Sequence, residues 1–168
     1  MVYAEGFLGQ REVPGPGASA WIRSIWLGLR GGSWFWTSIG KGDDSKLPWC
    51  GAFVAHCLQN CHMTHAQRYA SAKAWLEWGT KLTGPALGCV VVFEREGGGH
   101  VGFVHGRDTK GRLLVCGGNQ GDSVSIAPFD LKRVAGYLWP EDAAMQPDVG
   151  LPTLPLYQAA GAESANEA

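Results

Sequence analysis

Apolar residues in the first half of the chain recur at steps of three and four. Trp21, Ile22, Ile25, Trp26 and Leu29 follow the breaker "VPGPG" and predict an amphipathic helix. Phe53, Val54, Cys57, Leu58 and Cys61 repeat the pattern from Cys50 onward. They predict a second helix with one buried face, leaving near Asn60 to Thr64. A third helical piece is predicted over residues 66–79, with Gly79 as its stop. Residues 30–48, rich in Gly, Ser and Asp, read as a long loop holding an aromatic patch. After Pro85 the period shortens. "GCVVVFERE", "GHVGFVHG", "GRLLVCGGN", "VSIAPF" and "VAGYLWP" read as short strands separated by turn residues. Helices first and strands afterwards give an α+β class, N-terminal helices packed on a small antiparallel sheet. Residues 1–140 are expected to form the domain. Residues 141–168 are Pro- and Ala-rich, and read as a tail that drapes over the domain or is partly disordered.

The totals narrow the function. A chain of 168 residues suits one domain with its own core. Net charge is -1 and no Lys/Arg cluster occurs, so nucleic acid is not an expected partner. The longest apolar runs, such as "CVVVF", fall far short of the roughly 20 residues of a membrane span. The N-terminus lacks the basic and apolar regions of a secretory signal. Synthesis in the cytoplasm is expected, with delivery to any other compartment by a different route. Five cysteines at irregular spacing do not form a disulfide framework, which leaves reduced thiols.

One of those thiols has an unusual setting. Cys50 follows Leu-Pro-Trp and opens the second helix. A helix N-terminus favours the thiolate, and its unpaired N–H groups can hold an oxyanion. The proton must go to an imidazole. His100 opens "HVGFVH" after three glycines, Gly97 to Gly99, which leave room for a substrate. The next two strands turn around Thr109 and Lys110, so paired residue numbers should sum to about 219. His100 then faces Asn119, whose amide would fix the imidazole tautomer. A slip of one residue would turn Asn119 away and make Gln120 the substitute. His105 falls on the opposite face from His100 and reads as structural. Asn119 also has a plain reading as a turn residue.

"PWCGAFV", "AKAWLEWG", "GCVVVFERE…GHVGFV" and "GGNQGDSVSI" together resemble a phage-associated group of small papain-like peptidases. That group is close to the CHAP amidohydrolase/peptidase class and related to NlpC-type peptidoglycan hydrolases. The upstream "REVPGPG" also fits, and the resemblance covers roughly Gly9 to Pro140. It implies a papain-like fold, with Cys50 as nucleophile, His100 as base and Asn119 as orienting residue. Trp49, Gly99 and Gln120 are the candidate substrate-binding neighbours. Many CHAP enzymes carry a Glu two residues before the Asn, where this chain has Gly117. The implied reaction is cleavage of amide bonds in bacterial peptidoglycan, in the stem peptide or at its link to the sugar. The implied settings are a phage lysin or an injected antibacterial effector, the latter with an immunity protein. No cofactor is expected. The same residues would also suit deamidation or transglutamination of proteins, or an idle wall-binding or virion module.

Other clusters carry less. Cys57, Cys61, His62 and His65 offer metal-type atoms, but from one short segment and partly from an apolar helix stripe. No metal is expected, and no HExxH pattern occurs. Trp34, Phe35 and Trp36 read equally as a groove wall or a small satellite core. Trp75 and Trp78 read as core. Asp43 and Asp44 read as solvated loop carboxylates. No well-placed carboxylate pair supports a glycosidase.

Overall fold

A computed structural model describes residues 1–95 and 97–158. Its class is α+β. The short helix α1 (Val2–Glu5) precedes α2 (Ala20–Gly28). The Ser19 hydroxyl caps α2 by accepting from the Ile22 amide, and the helix buries Ile22, Ile25 and Trp26. One turn, α3 (Gly32–Trp34), runs into a π-turn over Phe35–Ile39. The second long helix, α4 (Cys50–Asn60), is buried on almost every side of its first two turns.

Among the described residues seven strands form one sheet. They are β1 (Thr80–Leu82), β2 (Val90–Arg95), β3 (Gly98–Asp108), β4 (Leu113–Gly117), β5 (Ser125–Phe129), β6 (Val134–Trp139) and β7 (Leu156–Tyr157). The order is β1-β6-β2-β3-β4-β5, with all of these pairs antiparallel. The short β7 pairs with β3 in parallel. Alternation divides the apolar residues between two faces. Val90, Val92, Val101, Phe103, Cys116 and Leu138 share one core with α2 and α4. Val91, Phe93, Val104, Leu113, Val115 and Phe129 form a second core, to which Leu154 contributes from beyond β6. Residues 159–168 of the Pro/Ala-rich segment lie outside the described residues.

Two stretches depart from the expected local structure, each for a tertiary reason. Residues 66–79 do not form an α-helix; turns lead into a 3-10 helix at Ala72–Glu77. The Tyr69 carbonyl is taken by the Trp75 indole N–H at 3.1 Å, and so is lost to a helical ladder. Residues 30–48 are more ordered than a loop. Trp36 is buried there, and Phe35 packs against Trp26 and Tyr69 with ring centroids 5.6 Å and 6.2 Å apart. Trp34 alone of the aromatic patch is exposed.

That same loop fixes the start of α4. Asp44, 1% exposed, accepts the Ser19 amide at 2.6 Å and so ties the loop to α2. Asp43 caps the turn Asp44–Lys46 and pairs with Lys46 at 2.9 Å. These carboxylates, expected to be solvated, hold the chain that delivers Cys50. At Gly51 an added Cβ would lie 1.9 Å from the Tyr69 carbonyl oxygen, and at Gly118 one would lie 2.4 Å from the Trp49 ring. The first turn of α4 is therefore clamped between two backbone segments that approach only because glycines permit it.

Candidate active site

The site begins at the first residue of α4. Cys50 is 5% exposed, and no side chain caps this helix end. The Val101 amide N–H, in the peptide group joining His100 to Val101, is near enough to the sulfur to favour its thiolate. The Cys50 sulfur thus lies at the β3 backbone next to His100, while the imidazole packs with Phe93 and Phe129 of the second core. Burial pushes the Cys50 pKa up, while the Val101 and Gly51 amides and the Arg95 charge pull against it. The resting thiol keeps its proton, and ionisation requires a base.

His100 is buried and stacks against rings of the second core. Its plane lies 4° from that of Phe129 with centroids 5.3 Å apart, and Phe93 lies on the same face. Its Nε2 meets Gln120 Oε1 at 3.0 Å. The orientation of the Gln120 amide follows from its other partners. Gln120 Nε2 donates to the Ser125 carbonyl at 2.8 Å, to Ser125 Oγ at 3.1 Å and toward the Val115 carbonyl at 3.3 Å. With its NH2 so held, the amide oxygen faces His100, and His100 donates from Nε2. A neutral imidazole then carries its lone pair on Nδ1.

The strand register explains why position 120 makes this bond. Phe103↔Cys116 and Val104↔Val115 keep the expected sum, and a bulge at His105 then shifts the pairs to Gly106↔Leu114 and Arg107↔Leu113. On the side toward His100, β4 ends at Gly117, so the ladder does not continue to Asn119. Asn119 has φ 61°, the left-handed conformation that Asn tolerates, and this turn sends Gln120 back beneath the imidazole. A Cβ on Gly117 would lie 2.7 Å from Gln120 Oε1 and 3.2 Å from His100 Nε2. Gln120 therefore fills the space that a side chain at 117 would need.

The remaining expected site residues are distributed as follows. Trp49, expected at the substrate, is fully enclosed, and its indole N–H donates to Glu12 at 2.7 Å. Its side chain packs against Gly118 and so supports the turn rather than facing a ligand. Gly99 is half-buried, and its Cβ position faces Ala72 and the Lys73 stem, on the other side of the strand from His100. His105 bonds Glu5 at 3.0 Å and stacks on Tyr157, tying α1 and β7 to β3. Cys57 points into the core, whereas Cys61 and His62 stand exposed at the far end of α4. Among the described residues no three His, Cys, Asp or Glu side chains are placed to hold a metal.

Cys50, Cys57, Cys89 and Cys116 are all buried with their pKa values raised by desolvation, Cys89 and Cys116 to about 12. In the unfolded chain such thiols ionise from a pKa of 9.0. Stability is therefore intact below that value and falls as pH rises above it, by roughly 1.4 kcal/mol per pH unit for each thiol held neutral. Thermal unfolding followed from pH 8 to pH 11 should show Tm dropping steeply past pH 9, with a shallower slope in Cys116→Ala. A flat profile would contradict the burial.

The comparison with known families bears on the same residues. Residues 42–119 match the CHAP domain. No curated protein and no solved structure matches the chain. The CHAP match runs from the loop before Cys50 through α4, β2, β3 and β4, and it ends at Asn119, one residue short of the amide that meets His100. It implies amidase or peptidase chemistry of the peptidoglycan-hydrolase type. No helix among the described residues is long and apolar enough to cross a membrane.

Proposed function

We propose that this chain is a papain-like cysteine amidase or peptidase that cleaves peptidoglycan, with Cys50 as nucleophile, His100 as base and Gln120 as the residue that orients the imidazole. Asn119 serves through its turn, and residues 1–140 carry the activity. As the sulfur attacks the scissile carbonyl, the thiol proton passes to His100 Nδ1. Amide N–H groups in the first turn of α4 receive the developing oxyanion. His100 then protonates the leaving amine, which departs and leaves a thioester. Water, deprotonated by His100, releases the acid and restores the thiol.

The observation that supports this most lies at β3. The Val101 amide next to His100 favours the Cys50 thiolate, while His100 Nε2 is fixed by an amide whose own orientation is fixed. A structural cysteine and histidine have no need of that arrangement. The CHAP match supports the wall as substrate. The scissile bond lies in the stem peptide or at its link to the sugar. The setting is a phage lysin or a secreted effector neutralised by an immunity protein, acting on the wall after release or injection.

The test is digestion of purified peptidoglycan followed by mass spectrometry of the fragments, with Cys50→Ala as control. New free amines and carboxylates, absent from the control, are expected, and the fragment masses identify the bond. New reducing ends in place of amines would overturn the reading. So would release of ammonia from protein glutamines with the wall left intact.

A further inference from the structure

An open groove lies along the 3-10 helix Ala72–Glu77. Ala72 and the Lys73 stem lie 3.4 Å from the Cβ position of Gly99, the neighbour of His100. Ala74 and Glu77 of the same short helix line a groove of about 460 Å³. The segment after α4 contributes Gln67 and Arg68 to it, and the segment after β6 contributes Glu141. These two segments are joined where the Thr64 amide donates to Asp142 Oδ2 at 2.7 Å. Arg68 Nη2 and Glu77 Oε2 meet at 2.7 Å, both on exposed side chains. Trp78, half-buried, also lines the groove and packs edge-on against Trp75 with ring centroids 5.2 Å apart. Trp75 in turn donates its indole N–H to the Tyr69 carbonyl, which lies against Gly51 at the start of α4. The groove is thus built on the same turn that clamps the helix of Cys50.

The lining narrows the ligand. Arg68 is matched by Glu77 and Glu141, so the groove holds no excess of positive charge for an anionic polymer. Its amide, guanidinium and carboxylates offer donors and acceptors together, which an acyl chain or an apolar helix face would leave unpaired. One indole among such groups suits a ring with apolar C–H faces and a rim of hydroxyls. We propose that the groove is a saccharide subsite that takes a pyranose ring of the wall glycan, with Trp78 as its platform and Arg68 and Glu77 as its hydrogen-bonding rim. The choice of the wall glycan rests on the hydrolase reading above.

Binding can be read without turnover, from the amide and indole N–H spectrum of the isotope-labelled full chain carrying Cys50→Ala. The probe is chitotriose, a chain of β-linked N-acetylglucosamine rings with no peptide and no charge. Saturable shifts of the Trp78 indole and of the Gln67 and Arg68 amides are expected, with a Kd of about 1 mM. The exposed Trp34 indole, outside the groove, should not respond. Trp78→Ala should weaken binding at least about tenfold. Because Trp78 also packs on Trp75, the exposed rim is tested separately: Arg68→Ala and Glu77→Ala should each weaken binding at least about threefold. No saturable shift up to about 10 mM chitotriose, shifts centred away from the groove, or a Kd unmoved by both rim variants would overturn the subsite. So would a response of the same peaks to a lysine-containing stem tripeptide and not to chitotriose, which would make the groove a peptide site. Wall digestion by the wild type with no chitotriose binding removes the subsite and leaves the hydrolase. Chitotriose binding by a chain that leaves the wall intact does the reverse.

Discussion

Cys50→Ser is expected to lower amide hydrolysis by about 10⁵-fold or more, close to the loss on removing a catalytic nucleophile altogether. The substitution changes one atom in a closed space, so the fold and its melting temperature should hardly move. The chemistry changes much more. A hydroxyl has to lose its proton to the imidazole within the attack step, and it needs a strong base. Here His100 Nε2 meets the neutral amide of Gln120. An amide fixes the tautomer but adds little to imidazole basicity. That partner suits a thiol, which gives up its proton far more readily. Release of amines from purified wall, measured for wild type, Cys50→Ser and Cys50→Ala, checks the point. A serine variant within tenfold of wild type would mean that Cys50 is not the attacking atom.

What the sequence made legible follows from which interactions are local. The helices at Ala20 and Cys50 showed plainly because their buried faces repeat along one element. The strand register near the site followed from the turn position, since pairing is fixed by counting once the turn is placed. Residues 66–79 misled because the competing partner of the Tyr69 carbonyl, the Trp75 indole, is set by packing and not by propensity. The aromatic loop misled because its glycines hid a turn ordered by contacts with Trp26 and Tyr69. The same limit applied at the site. The settings of Cys50 and His100 could be read along the chain, but the contact between His100 Nε2 and Gln120 could not. It depends on where β4 stops and on the left-handed turn at Asn119.

The exchange between positions 117 and 120 gives the second large prediction. Gln120→Ala removes the acceptor for His100 Nε2–H and should cost about 10²–10³-fold in kcat/KM, because the imidazole is then free to take the wrong tautomer or orientation. Gly117→Glu alone should cost a similar amount, since its Cβ would sit 2.7 Å from Gln120 Oε1 and must displace that amide. Gly117 lies in β4 without a left-handed φ, so a side chain there suits the backbone. With Gln120→Ala also present the space is vacant, and the Glu carboxylate can take the His100 proton donor in its place. The double variant should recover at least about tenfold over either single one, a coupling that independent losses would not produce. Its pH profile should move as well. A carboxylate beside His100 favours the imidazolium and raises its pKa, and the base is active only when unprotonated, so the acid limb of kcat/KM should shift upward relative to wild type. A purely structural role for Gln120 would let the two losses multiply and leave that limb where it was.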